Sequence, residues 1–258
     1  MQQRISRIVS VVALTVVWGL SAAALGDSHV FDPFVPPADG KGSIYGKVTA
    51  RPHKDYIKKA TKKKPGMVYQ EGAESYGASA DGKVAYNDTM VNYDFVAVYA
   101  ILLDPAWKPG KVHEVEATAD EELQPRSLAV AKGDVIHIEN ATSKPLTFFL
   151  ADINSDAIQE LPVLASGDNA DMVVELTGDL ELAAEEDDRL IAAVLSRKNL
   201  RSQRVRSGSS YAFRDINPGD YEVMFWFWRL GHLIENVTVV ADEHSQVNGV
   251  LSVDTVVH

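Results

Sequence analysis

Cysteine is absent from the 258 residues, and that absence removes whole classes of chemistry. Disulfides, thiol catalysis, Cys-ligated zinc or iron–sulfur clusters and c-type haem attachment all fall away. Blue copper goes with them, because its short copper–sulfur bond needs a thiolate. Cations are scarce as well: 25 Lys and Arg stand against 36 Asp and Glu, a formal net charge of −11. Nucleic acid is not an expected partner, since neutralising phosphates takes a basic footprint. Also missing are the GxSxG nucleophile elbow, the GxxxxGK[ST] P-loop and the Rossmann glycine fingerprint. Nor is there a repeat at a solenoid period. What remains is an ordinary globular composition, 46% hydrophobic and 24% charged, in a chain long enough for one large or two modest domains.

Residues 1–26 read as a secretory leader. Arg4 and Arg7 precede an apolar run from Ile8 to Leu20, and small residues follow in Ser21-Ala22-Ala23-Ala24-Leu25-Gly26, with cleavage sites after Ala24 or Gly26. The alternative is a retained anchor, as Ile8 to Leu25 sits at the lower edge of a membrane span. No other segment is apolar enough to cross a bilayer, so no transmembrane segment is expected after cleavage. Losing Arg4 and Arg7 deepens the negative charge. An exported chain without cysteine fits a bacterial periplasm, or secretion, better than a disulfide-rich eukaryotic route.

Residues 27–41, with Pro33, Pro36, Pro37 and Gly40, form a leader or linker arm. Ser43 to Thr49 then alternates as a strand does. Residues 51–66 hold Arg51, Lys54, Lys58, Lys59, Lys62, Lys63 and Lys64 against one acid, Asp55, and a Gly- and Tyr-containing loop extends to Asn92. Tyr93 to Leu103 is nearly all apolar and ends at Asp104-Pro105, which predicts a strand buried on both faces. Residues 127–131 lead through Lys132-Gly133-Asp134 into a strand over 135–140, and an Asn-containing turn leads into another over 146–150. Leu180 to Arg204 fits a helix: Leu190, Ile191, Val194 and Leu195 share a helical face, with Glu185 to Asp188 early and Arg197, Lys198, Arg201 and Arg204 late. Residues 211–216, a Pro218-Gly219 turn, the aromatic run to Trp228, and residues 233–240 and 247–253 complete the strands.

Two segments together, 127–150 (SLAVAKGDVIHIENATSKPLTFFL) and 213–240 (FRDINPGDYEVMFWFWRLGHLIENVTVV), resemble cupredoxin-like domains of periplasmic proteins, of the plastocyanin-like and methylamine-utilisation kind. The resemblance implies an antiparallel β-sandwich in an exported protein. Copper members of that family place a His after the Asn turn, where this chain has Leu146-Thr147-Phe148-Phe149. After the Pro-Gly turn they place a Cys, a His and often a Met, where this chain has Phe225, Trp226, Phe227 and Trp228. The resemblance therefore implies fold and compartment without electron transfer.

The expected architecture is mainly β: a cupredoxin-like sandwich over 111–258 with one helical insertion near 180–205, and an N-terminal β region over 42–110 that joins it or stands apart. The expected role is that of an exported, non-catalytic binding or accessory module holding a protein partner or other anionic surface. Its candidate residues are Lys54, Lys58, Lys59, Lys62, Lys63 and Lys64, with Phe225, Trp226, Phe227 and Trp228. The lysines equally suit a solvated loop that offsets acidic charge. The aromatics better suit a core on one face with inter-sheet or inter-domain packing on the other. No cofactor is expected. The alternative is a copper or zinc site on His137 and His232 with Glu139, Glu235 or His113, for which no HxH or HExxH spacing speaks. Glu185 to Asp188 are adjacent acids without the convergence that acid–base catalysis needs.

Overall fold

The computed structural model describes residues 35–51 and 96–252. Their seventeen strands are β1 (Gly42–Ala50), β2 (Ala97–Leu103), β3 (Val112–Ala117), β4 (Leu123–Gln124), β5 (Ser127–Ala131), β6 (Val135–Asn140), β7 (Phe148–Asp152), β8 (Ile158–Glu160), β9 (Asn169–Val173), β10 (Gly178–Ala184), β11 (Asp187–Arg197), β12 (Leu200–Arg206), β13 (Ser210–Ile216), β14 (Gly219–Phe227), β15 (Gly231–Val239), β16 (His244–Gln246) and β17 (Gly249–Leu251). They form four sheets. The first is β13-β1-β16 with β17 also on β1, and the second is β12-β2-β14-β15. The third is β5-β11-β10-β7-β8, and the fourth is β4-β3-β6-β9. Most pairs are antiparallel, with parallel exceptions at β1–β16, β1–β17, β3–β6 and β5–β11.

Side-chain alternation stacks these sheets in four layers. Ile44, Val48, Tyr211 and Phe213 of the first sheet meet Val98, Ala100, Leu102, Val223 and Phe225 of the second in one core. Leu128, Phe148, Leu150, Leu182 and Val194 of the third meet Val115, Ile136, Ile138 and Met172 of the fourth in another. The two sandwiches then join back to back: Tyr99, Ile101, Leu200, Met224 and Trp226 from the second sheet pack on Ala129, Ala131 and Leu195 from the third. Successive strand residues face opposite sides, so β2 and β14 serve two apolar layers at once. That is why 97–103 and 223–228 read as continuous apolar runs. The expected strand buried on both faces is present at β2.

The mainly β sandwich architecture expected from the sequence is what the described residues form, with two corrections. Residues 180–205 carry no helix: they are β10, β11 and the first part of β12. Leu190, Ala192 and Val194 enter one core while Leu195 enters the joint. An apolar strand covered on both faces lets a helical stripe be picked out of it. The second correction concerns the grouping of strands. Strands β12 to β17 do not continue the sandwich of β3 to β11; they pair among themselves and with β1 and β2. Residues 112–197 are thus an inserted sandwich. Its two crossings are tied where the Asp104 amide donates to Asn199 O at 3.0 Å.

Main-chain edges are covered by side chains. Tyr99 Oη donates to Ser127 O at 2.6 Å and Ser202 Oγ to Ala129 O at 2.9 Å, which satisfies the outer edge of β5 from across the joint. The Gln203 amide bonds both the carbonyl and the N–H of Ala212, at 2.6 and 2.9 Å, standing in for a strand along β13. Gln159 does the same for the edge of β9, at Val173 O and Glu175 N. Covered edges resist pairing with another chain. No helix among the described residues is long and apolar enough to cross a membrane.

Candidate functional site

The aromatic strand turns inward on both faces. Phe225 is fully buried and Phe227 is 5% exposed in the core of the first sandwich, while Trp226 is 7% exposed in the joint, with its ring 5.5 Å from Tyr99. Trp228 is half-buried and carries the Arg229 guanidinium 4.5 Å over its ring. The expected aromatic platform is therefore corrected: Phe225, Trp226 and Phe227 hold the layers together and have no face left for a partner. The lysine cluster, Lys54, Lys58, Lys59, Lys62, Lys63 and Lys64, lies outside the described residues.

The two histidines do not converge. Ile136 and Ile138 point into the core of the inserted sandwich, which turns His137 to the outer face of the fourth sheet. His232 stands on β15 in the second sheet, opposite Trp226. The third sheet lies between those layers, and stacked sheets are about 10 Å apart. Two imidazoles bound to one zinc ion would each need a bond of about 2 Å, so His137 and His232 cannot share one. His113, the other imidazole considered, is committed to Asp134. No group of three or more His, Asp or Glu side chains poised for a metal ion occurs among the described residues.

His137 is instead bound laterally. Register aligns Glu114, His137 and Asp171 across β3, β6 and β9, and His137 Nδ1 donates to Asp171 Oδ1 at 2.6 Å. That hydrogen bond holds the imidazole pKa above its ordinary value; slight burial opposes the effect, and the charges of Glu114 and Glu139 add to it. A raised histidine pKa stabilises the folded state below the unfolded-state pKa, and the contribution fades as pH rises through the folded one. Titration by NMR should place His137 above an ordinary histidine, with Asp171→Asn moving it back. An unshifted imidazole in the wild-type chain would refute the pairing.

The adjacent acids 185–188 are no helix start: Glu185 and Glu186 form the turn between β10 and β11, and Asp187 and Asp188 open β11. Glu186 accepts from the Thr147 N–H and hydroxyl, both at 2.8 Å. Asp187, largely buried, accepts from Arg189 Nη2 at 2.8 Å and from Lys144 Nζ at 3.3 Å. Lys144 also reaches Glu121 at 2.7 Å, and Arg189 pairs with Glu121. The cluster braces one end of the inserted sandwich. Beside it, the fully buried Asn140 amide donates to Lys144 O, Leu164 O and Ala165 O, while its oxygen accepts from Thr142 N–H and Oγ1. Asn140 thus ties its own turn, 142–144, to the loop at 164–165.

One concave surface was not foreseen. A groove of about 610 Å³ runs along the β14–β15 hairpin, lined by Leu103, Pro105, Asp220, Tyr221, Glu222, Asn236, Val237 and Thr238. Burial raises the Tyr221 hydroxyl pKa, and the nearby Asp104 charge adds to the shift. Its sequence signal is the alternation of Asp220 and Glu222 with Tyr221 and Val223, which puts two acids on one face.

No protein-family model matches the chain, and no curated protein matches it in sequence. Among solved structures it is similar to a purple cupredoxin from Nitrosopumilus maritimus, at 19% identity over 33% of this chain and 98% of that one, with a TM-score of 0.29. It is also similar to a Cu-containing nitrite reductase from Thermus scotoductus, at 13% identity over 36% of this chain and 24% of that one, with a TM-score of 0.30. A Cu(I) amicyanin mutant is 15% identical over 38% of this chain and 98% of its own, with a TM-score of 0.29. Each likeness spans little more than a third of this chain.

Proposed function

We propose that this chain is an exported, non-catalytic binding module that holds an anionic partner, a protein or another acidic surface, through its lysine-rich segment. The observation that carries the reading is charge segregation. Arg51 and the lysines up to Lys64 stand together with one acid, in a chain of net charge −11. A block of like charge is a recurrent form of interaction segment. The structured body supports the reading as a rigid carrier, since Asp134, Asn140, Asp187 and His137 are bound to their neighbours as braces. The N-terminal leader supports the compartment, the periplasm or the exterior. The aromatic strand serves this module from within, as the layer that joins its two sandwiches.

Charge reversal tests the segment. With Lys58, Lys59, Lys62, Lys63 and Lys64 changed to Glu, partner capture by the full chain from a periplasmic extract should vanish. Wild-type capture should weaken steeply between low salt and about 0.15 M, where screening shortens to about 8 Å. Capture that survives both the substitutions and the salt would remove the segment from the proposed role.

A further inference from the structure

Strand β15 ends the second sheet without the side-chain cover given to the edges of β5, β9 and β13. The β14–β15 connection fixes which of its main-chain groups face outward. Leu230 N–H donates to Phe227 O at 2.8 Å and Gly231 follows with a φ of 97°, the three-residue hairpin loop closed by a glycine bulge. That loop turns the main-chain groups of Gly231, Leu233, Glu235 and Val237 toward their β14 partners Phe227, Phe225, Val223 and Tyr221, because bonded and non-bonded pairs alternate along an antiparallel ladder. His232, Ile234 and Asn236 therefore present both N–H and C=O to the open side. Among the described residues these groups have no hydrogen-bond partner. Thr238 breaks the series, since Ser245 Oγ donates to its carbonyl at 3.0 Å. The open stretch thus runs from Gly231 to Val237, with Ile234, 40% exposed, at its midpoint. It carries no Lys or Pro, the residues that keep bare edges apart.

We propose that two copies of this chain pair antiparallel along β15, around a two-fold axis at Ile234, so that their second sheets continue into one. A strand paired with its own copy is isologous, each contact occurring twice, and the outward groups select the centre. Centred at Ile234, each Ile234 exchanges main-chain bonds with its twin. Each His232 does the same with the other copy's Asn236, and no outward group is left over. A centre at Glu235 sets that carboxylate directly opposite its twin, where like charges oppose pairing. It also turns His232 toward the Thr238 carbonyl that Ser245 already holds. A centre at Leu233 carries Asn236 past the end of the other copy's strand. The open edge is well short of the about 20 residues a side of a tight interface, so the dimer is reversible, with a dissociation constant at about the micromolar level. The two Glu235 carboxylates then lie on a diagonal, about 7 Å apart. Salt should strengthen this pairing, whereas it weakens capture by the lysine segment.

Sedimentation velocity of the full chain, from about 1 to about 100 µM, tests the pairing, with a shift from monomer to dimer expected across that range. Ile234→Lys keeps every main-chain bond but sets two like charges at the axis, and should weaken association about tenfold or more. Ile234→Glu should do the same, and an equimolar mixture of the two variants should restore the dimer. Cysteine placement reads the register directly, because the chain has no cysteine of its own. Ile234→Cys should give a disulfide-linked dimer on mild oxidation, since a bonded antiparallel pair sets its Cα atoms about 5.5 Å apart, within disulfide reach. Asn236→Cys, also at an exposed position, has its twin about 13 Å away along the strands and should stay unlinked. A chain that remains monomeric at about 100 µM, a mixture of the charge variants that stays monomeric, or equal cross-linking at 234 and 236 would each overturn the proposal. Unchanged melting of each variant would exclude a folding defect.

Discussion

Gly46→Ala is expected to lower the thermal midpoint of the protein by about 6–12 °C. A Cβ on Gly46 would overlap the carbonyl of Val247 and crowd its carbon at 2.7 Å. This is main chain, so no rotamer change relieves it. The Val247 N–H donates to Tyr45 O at 2.8 Å, and its carbonyl accepts from the buried Tyr211 hydroxyl at 2.8 Å. Moving it would break both bonds and part β1 from the chain after β16. Overpacking costs about 1–3 kcal/mol and occasionally more, and here the upper end applies because backbone must yield. About 3 kcal/mol corresponds to about 6–12 °C in a domain of this size. Gly249→Ala is the internal comparison. Its Cβ would overlap the Phe225 ring, a side chain and not main chain, so the loss should be smaller. Circular-dichroism melts decide the matter: wild-type melting of Gly46→Ala would mean that β1 and Val247 are not so close.

Asp134→Ala should cost about 3 kcal/mol or more, read from denaturant unfolding at neutral pH. This nearly inaccessible carboxylate, 2% exposed, accepts from the amides of Gly110, Lys111 and Ala131 at 2.8, 3.0 and 2.9 Å and from His113 Nε2 at 2.9 Å. Removing it strands several donors, each worth about 1–3 kcal/mol when left unpaired. Burial alone would raise its pKa. The His113 hydrogen bond and the Ala131, Gly110 and Lys111 amides outweigh that and hold it below the usual carboxylate value. For a depressed carboxylate the stabilisation is full above the unfolded-state pKa and is lost as pH falls through the folded one. The gap between wild type and variant should therefore be widest near neutrality and narrow in acid. A gap that stays constant down to strongly acid pH would show that the effect is packing and not charge.

Both positions show how far the sequence could be read. Lys132-Gly133-Asp134 was legible as a turn, because Gly and Asp are turn residues for local reasons. That Asp134 gathers amides from 110 and 111 was not, since those donors lie more than twenty residues away. Asn140 is similar: its place in a turn followed from the chain, and its bonds to Leu164 O and Ala165 O did not. His137 could be placed on the outer face by its flanking isoleucines, but its partner Asp171 depends on which strand lies beside β6. Phe225 to Trp228 posed the sharpest ambiguity. An apolar strand looks the same whether its second face meets another sheet or a partner, and only Ala129, Ala131 and Leu195 across the joint decide it. The same ambiguity made β11 resemble a helix.

Composition and local pattern by themselves determined a β-rich chain without thiol chemistry, its tight turns and most of its strands. These follow from short-range sterics and from alternation along a few residues. Tertiary structure alone decided that 112–197 is a sandwich inserted into another, that two sheets meet back to back, and that Asp220 and Glu222 open into a groove. Those outcomes depend on contacts between residues far apart in the chain, and the free energy of burial that selects them is not directional. It acts on whichever apolar faces the folded chain brings together.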